Sequence, residues 1–168
     1  MRRFHGPSRL SGIAAALALA ACLGAIDRPL AAEPDHHKVV PAGEVTFGAG
    51  PPFLPPGVEM VVLAGNPGVA GVFVLRLKFP AGYVIPPHIH SQDELVTVIS
   101  GQLGVAMGDT LDRDAAHPLA PGSFVQLPAN MSHYAWADEE TVVQLAGMGP
   151  FDITYIDDAD DPRINGRD

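Results

Sequence analysis

Four residues carry side chains that commonly bind transition metals. His88 and His90 lie two positions apart, so on an extended backbone both imidazoles project from one face, and Glu94 keeps the same parity. Two neutral imidazoles and a carboxylate make up most of a coordination shell for a divalent transition metal. His133 is the best candidate for a fourth ligand, because it follows a turn at residues 128–130 and opens another short strand. The spacing therefore predicts a metal site.

The elements that must position these residues are short strands. Apolar and β-branched runs alternate with segments rich in Gly, Pro, Asn and Asp, and no amphipathic stretch has the length of a helix. We predict strands over residues 59–64, 71–79, 94–100, 102–107, 123–127, 132–136, 141–146 and 153–156. Pro86 and Pro87 stiffen the approach to His88 and favour extended geometry. The pattern indicates an all-β sandwich or small barrel.

The two histidine-containing segments resemble the two sequence motifs of the cupin superfamily, in particular of small single-domain bacterial cupins. The first motif matches at Gly82, His88, His90, Glu94 and Gly101, and the second at Gly122, Pro128 and His133. Asn130 stands where a Gly is usual, and Ala137 stands where an Asn is usual. Asn is the residue after Gly that best tolerates a left-handed turn, so we expect the loop to be kept. Ala137 is not at a ligand position.

The resemblance implies a jelly-roll β-barrel, also called a double-stranded β-helix, with one domain per chain. It implies a divalent transition metal (Fe, Mn, Ni, Cu or Zn) held by His88, His90, Glu94 and His133. An open coordination position would suit a mononuclear dioxygenase or related oxidoreductase acting on a small organic molecule, with Glu94 as ligand or proton acceptor. The resemblance is also compatible with a homodimer.

Two alternatives stay open at this stage. The barrel could be a non-catalytic module that binds a metal ion, a sugar or an organic acid, since one fold supports many functions. The histidines could also serve a polar barrel mouth without any metal. An unpaired cluster of buried titratable groups would be costly to fold, which favours the metal.

The composition describes a chain that can bury a core and that repels polyanions. Of 168 residues, 47% are hydrophobic and 17% are charged, which excludes wholesale disorder, collagen and coiled coil. The net charge is -9, and four of the ten basic residues lie within the first 28 positions, so the remainder is more acidic still. Nucleic-acid binding depends on a basic surface. We therefore expect a small-molecule ligand or substrate and no nucleic-acid partner.

The first 32 residues have the pattern of a secretory signal peptide. Three arginines in the first nine residues precede an uncharged, alanine-rich run over residues 10–26. This run is weakly apolar, whereas a membrane span needs about 20 strongly apolar residues. We predict cleavage after Ala32 and export to the periplasm or the medium. In the alternative, Cys22 lies in a lipoprotein box and carries a lipid anchor, which would be the one contact with a membrane.

The predicted organisation has four parts. They are a signal peptide (1–32), an N-terminal arm (33–57), the β-barrel (58–156) and an acidic tail (157–168). Cys22 is the sole cysteine and precedes the arm, so disulfides and cysteine-ligated metal are excluded from the folded domain.

Several other residues are weaker candidates for a site. We expect three further histidines to be solvated: His36 and His37 in the arm, and His117 between the motifs. We expect the aspartates of the tail to be solvated too, because the tail lacks the Gly and Glu of a calcium loop. Candidates to line a ligand pocket, or to be ordinary barrel core, are Tyr83, Met107, Gln126, Tyr134 and Trp136.

Overall fold

Two antiparallel β-sheets carry most of the secondary structure. The computed structural model describes residues 37–116 and 118–165. From Val39 onward the chain forms one compact unit. The predicted signal peptide with Cys22, and also His36 and His117, lie outside the described residues.

Over the described ranges, the larger sheet has six strands and the smaller has four. In spatial order the larger sheet contains β1 (Gly48–Ala49), β2 (Glu59–Ala64), β3 (Gly71–Phe79), β9 (Thr141–Gly149), β5 (Glu94–Ser100) and β7 (Phe124–Leu127). The smaller sheet contains β10 (Thr154–Tyr155), β4 (Tyr83–Ile89), β8 (His133–Ala137) and β6 (Gly104–Met107). Short 3₁₀ turns span Ala42–Glu44, Arg113–Ala115 and Asp158–Asp160, and one short helix, α1, spans Pro162–Asn165. The all-β prediction is confirmed.

Alternation along β3 shows how the sheets enclose a core. Phe73, Leu75, Leu77 and Phe79 are buried between the sheets. The residue between the last two, Lys78, instead reaches Glu59 of β2, with 2.8 Å between Nζ and Oε1. β3 therefore presents one face to the core and the other towards solvent, as the period of two requires.

The predicted strand boundaries are accurate for β2, β3 and β5, but β4 was missed. The sequence indicated only a stiff, extended approach there, because two prolines interrupt the run. In the structure β4 pairs with β8, and the register shifts between Ile85 and His88, across Pro86 and Pro87. Proline has no N–H to give to a ladder, so the prolines lie where the pairing is irregular.

The turn that precedes His133 has the predicted left-handed residue. Asn130 has a φ of 60°, which confirms that Asn replaces Gly there without loss of the turn. Its main-chain N–H donates to the carbonyl of His90 at 2.8 Å. The turn of the second motif is thereby joined directly to the histidine pair of the first.

Residues 51–57, here called the strap, belong to the predicted N-terminal arm and pack against the barrel. The hydroxyl of Tyr83 on β4 donates to the carbonyl of Pro55 at 2.6 Å. The hydroxyl of Tyr155 on β10 donates to the carbonyl of Phe53 at 2.8 Å. Two strands of the smaller sheet therefore hold the strap in place.

The acidic tail is partly folded rather than wholly solvated. Asp161 is buried, and its Oδ2 lies 2.7 Å from Nη2 of Arg163 in α1. The same nitrogen donates to the carbonyl of Ile153 at 3.1 Å. An ion pair and a main-chain bond thus fasten this segment beside β10. In the described ranges, no helix is both long and apolar enough to span a membrane.

Candidate metal centre

The four predicted ligands meet at one end of the barrel. His88 lies near the end of β4 and His90 follows that strand, while Glu94 begins β5 and His133 begins β8. His88 and His133 are direct partners in the β4–β8 register. All four side chains are buried, and one ligating atom from each lies within 4.8 Å of the others.

The expectation that Glu94 shares a wall with the two histidines is wrong. Parity along one extended strand would require it, but β4 ends at Ile89, and Glu94 begins a strand of the other sheet. The register shift before His88 also breaks simple alternation in β4. The carboxylate therefore approaches the histidines from the opposite sheet, which encloses the cluster more fully than a single wall would.

Main-chain carbonyls fix the orientation of all three imidazoles. The Nδ1 of His88 bonds to the carbonyl of Pro86 at 2.7 Å, and that of His133 to the carbonyl of Met131 at 3.0 Å. The Nδ1 of His90 bonds to the carbonyl of Asp152. A carbonyl can only accept, so Nδ1 carries the proton in each ring. In the neutral ring the Nε2 lone pair is then free to bind a metal.

The inward-facing nitrogen and oxygen atoms of the cluster lie close to one another. Oε2 of Glu94 lies 3.3 Å from Nε2 of both His90 and His133. The Nε2 of His133 is buried and has no hydrogen-bond partner among the described residues. A lone pair on nitrogen and a carboxylate oxygen repel each other unless a cation lies between them.

The size of the cluster also fits one ion. Nitrogen and oxygen ligands bind such ions at about 2.0–2.2 Å, so ligands on opposite sides are separated by about 4.4 Å. The observed span of 4.8 Å differs from this by a few tenths of an ångström. Three imidazoles and a carboxylate suit Fe, Mn, Ni, Cu or Zn. The residues present therefore fit a divalent transition metal.

Burial and mutual contact set the charges of the cluster. Burial, and after it the neighbouring His133 and His90, lower the pKa of His88 to about 3. Burial would raise the pKa of Glu94, but His133 and His90 outweigh it and hold the pKa at about 2. Burial opposes the proton on His90, yet Glu94 beside it raises its pKa overall. At neutral pH the cluster offers an ionised carboxylate and a neutral His88.

Sequence reasoning missed a group of supporting residues around His90. The ring of Phe151 stacks on that imidazole, with 4.4 Å between ring centroids. The carboxylate of Asp152 accepts from the main-chain N–H of Ser91 at 2.9 Å and from its hydroxyl at 2.7 Å. Phe151 and Asp152 lie about sixty positions after His90 in the chain, and the pairing of β10 with β4 brings them near it.

A cavity of about 150 Å³ opens beside the cluster. His88, His90 and Glu94 form part of its wall, together with apolar residues of both sheets and of the strap. A second cavity of about 40 Å³ lies further inside the barrel, and His133 belongs to its lining instead of His90. The cluster therefore borders a larger space and a smaller one.

None of the five aromatic and polar pocket candidates lines the larger cavity. Tyr134 and Trp136 are buried and pack with one another, with 6.1 Å between centroids. Met107 and Gln126 are exposed on the outside of the sheets, and Tyr83 uses its hydroxyl to hold the strap. His37, within the described part of the arm, is exposed as expected.

Comparison with known proteins identifies the domain. Residues 75–148 match the family described as Cupin domain. A stretch of 95 residues is 32% identical to germin-like protein subfamily 1 member 1 of Arabidopsis thaliana, covering 55% of this chain and 44% of that protein. The chain thus spans less than half the length of the curated relatives that it matches.

Solved structures share the fold at low identity. The polyketide cyclase RemF from Streptomyces resistomycificus superposes with a TM-score of 0.60 at 16% identity, covering 75% of this chain and 89% of that one. An acetylacetone dioxygenase from Acinetobacter johnsonii gives a TM-score of 0.54 at 18% identity, covering 73% and 82%. At these identities the likeness concerns the fold alone. The two sheets are a cupin fold, and this protein contains a cupin domain.

Proposed function

We propose that this protein is an exported cupin that binds one divalent transition metal and acts as a mononuclear dioxygenase or related oxidoreductase on a small organic molecule. The observation that carries the proposal is the buried cluster of His88, His90, Glu94 and His133, whose ligating atoms lie within 4.8 Å of one another beside a cavity. The germin-like relative and the acetylacetone dioxygenase support this reading as analogies.

The protein's own residues would hold the ion and control access to it. The three Nε2 atoms and a carboxylate oxygen of Glu94 would bind the metal, with the rings oriented by their Nδ1 bonds to the main chain. A bound ion would supply Lewis acidity and, if redox-active, electron exchange with an oxygen-bearing substrate. With four protein ligands, an ion that prefers five or six could bind a further ligand from the adjoining cavity.

Glu94 is the residue best placed to accept a proton from a ligand. Its carboxylate is ionised at neutral pH and lies in the wall of the cavity. Asp152 also borders the cavity, but one of its carboxylate oxygens accepts two bonds from Ser91. We assign Asp152 to holding the loop beside His90, and not to acid–base chemistry.

Elemental analysis tests the metal site directly. The full chain, purified without chelators, is compared with the His88→Ala, His90→Ala double variant and with His37→Ala, whose side chain is exposed. We expect near-stoichiometric Fe, Mn, Ni, Cu or Zn in the parent and in His37→Ala, and loss of the metal in the double variant. Export favours Cu and Zn in this comparison, since both bind nitrogen ligands tightly.

Three controls separate metal loss from misfolding and binding from catalysis. Circular dichroism checks that the double variant keeps its strands, and Glu94→Gln, which keeps the shape of the side chain, provides a milder second variant. Binding of azide or nitric oxide to the loaded protein checks for an open position. Equal metal content in all four proteins would overturn the assignment, and a loaded ion that accepts neither probe would leave a binding module as the better description.

A further inference from the structure

Most of the wall of the larger cavity is apolar. Its walls come from the strap, from β2, β3, β4, β5 and β9, and from the loops that follow β2, β4 and β9. The apolar side chains are Pro51, Phe53, Leu54, Met60, Pro67, Leu75, Leu77, Ile85, Leu145, Phe151 and Ile153. Its polar side chains are the three cluster residues His88, His90 and Glu94, together with Asp152.

Resting on the proposed function, we propose that the ligand of this cavity is a compact molecule with an apolar body of about the size of one benzene ring and oxygen donors at one end only. A cavity of about 150 Å³ lined by Leu, Ile and Phe side chains has the volume to hold a benzene molecule. The oxygen donors would face the cluster, because it supplies three of the four polar side chains of the described wall, namely His88, His90 and Glu94.

The polar groups of the wall have few bonds to offer to a sugar or a diacid. Each Nδ1 of His88 and His90 is already bonded to a carbonyl, and one oxygen of Asp152 is bonded twice to Ser91. Each hydroxyl buried without a partner costs about 1–3 kcal/mol. A polyol would therefore leave several groups unpaired against aliphatic walls, and the apolar lining disfavours the sugar-binding alternative.

Charge on the far end of the ligand is also disfavoured. No Lys or Arg stands among the described residues that line the cavity. A second carboxylate on the ligand would therefore be buried without a cation, and the acidic chain would repel it further. Oxygen donors confined to the metal end avoid both penalties.

The position of the apolar body follows from the two unequal cavities. The inner space of about 40 Å³ beyond His133 is too small for a ring, while the outer one is large enough. Phe151, stacked on His90 and 5.3 Å from the ring of Phe73, gives the outer cavity an aromatic wall. The body therefore lies between the cluster and the strap.

Met60 and Val61 provide a matched pair of variants. Met60 lines the cavity and pairs with Leu77, whose side chain is buried, whereas Val61 pairs with Arg76 and is absent from the lining. Both residues are half-buried neighbours on β2. Phenylalanine at position 60 would intrude on the cavity, and phenylalanine at position 61 would extend from the other face.

The cavity is tested first without metal, so that the result does not depend on the ion. Fluorobenzene is titrated into the metal-free full chain and followed by fluorine NMR. We expect saturable binding to the parent and to Val61→Phe, and binding weakened at least roughly tenfold in Met60→Phe. Absence of binding to the parent, or equal binding to all three proteins, would overturn the proposal.

The metal-loaded chain then tests the placement of the oxygen donors. Calorimetry compares catechol, which has two oxygens on one side of a ring, with D-xylose and tartrate. We expect catechol to bind roughly tenfold or more tightly than either. Tighter binding of xylose or tartrate would overturn the proposal. If elemental analysis finds no metal while fluorobenzene binds, the proposed function fails and the apolar cavity stands. If the protein holds a stoichiometric metal but does not bind fluorobenzene, the metal site stands and the proposal about the apolar cavity fails.

Discussion

At the scale of single residues, the direction of each imidazole matters more than its presence. The three Nδ1–H groups are bonded to carbonyls of Pro86, Asp152 and Met131, so each ring is oriented before any ion arrives. Such second contacts commonly change metal affinity by about 10–100-fold. The main chain therefore helps to orient the imidazoles for metal binding.

Metal retention should depend on pH through the same imidazoles. Protons compete with the ion for Nε2, and His90, whose pKa is raised beside Glu94, takes up a proton more readily than His88, whose pKa is about 3. Lower pH therefore means less metal, and we expect retained metal to fall below about pH 6. The carboxylate of Glu94, with a pKa of about 2, does not limit binding in this range.

The measurement is metal content after dialysis at a series of pH values, with chelator outside the membrane. Circular dichroism at each pH separates release from unfolding. Full occupancy at about pH 4.5 would contradict ligation by three histidines.

At the scale of elements, the pairing of β4 with β8 determines whether the site forms. It sets His88 directly opposite His133, while β5 delivers Glu94 from the other sheet. On its far side β8 pairs with β6, where Gly104 is opposite Trp136. A substitution that disturbs the pairing of β6 with β8 therefore acts on the strand that carries His133.

The contact between Gly104 and Trp136 gives a stability prediction. A Cβ at position 104 would lie 2.0 Å from Cε2 of the indole, and Trp136 is buried with little room to move. We expect Gly104→Ala to lower the free energy of unfolding by about 1–3 kcal/mol, as overpacking does. Chemical denaturation of the metal-free protein measures the change.

Gly43→Ala is the matched control for this substitution. Within the part of the chain that the structure describes, nothing lies within 4 Å of a Cβ added at Gly43. We expect its free energy of unfolding to match the parent within about 0.5 kcal/mol. An equal loss in both variants would show that the indole contact does not limit the packing of β6 on β8.

At the scale of the whole molecule, the predictions about chemistry concern the described barrel, and those about export concern the N-terminal segment. The barrel accounts for the chemistry proposed above. Export, the position of cleavage and the homodimer stay predictions from the sequence. The acidic balance of the chain, with its net charge of -9, likewise leaves the absence of a nucleic-acid partner as a prediction.

Export predicts a shortened chain outside the cytoplasm. We expect the protein secreted from a bacterial host to begin at Glu33, because the arginine-rich start and alanine-rich run have the pattern of a signal peptide that ends at Ala32. Intact-mass measurement of the exported fraction gives the new N-terminus. A lipidated chain beginning at Cys22 would establish the lipoprotein alternative, and an uncleaved chain confined to the cytoplasm would contradict export.

Local patterns predicted much of this molecule, and contacts between distant segments account for what was missed. Alternation in β3 and the tolerance of Asn130 for a positive φ are local properties, and both are confirmed. The local pattern did not predict β4, because its pairing with β8 is interrupted at the two prolines. Phe151 and Asp152 support His90 through tertiary contacts that no short spacing encodes.

The pairing of His88 with His133 also bears on the order of folding. These residues are far apart in the chain, and their strands pair only after a long loop has closed, a slow event in β-rich topologies. An ion in solution therefore meets a complete set of ligands late, when most of the barrel already exists. Metal binding would then act mainly by slowing unfolding rather than by speeding folding, and the chain could reach its barrel in a compartment where the ion is scarce and acquire it afterwards.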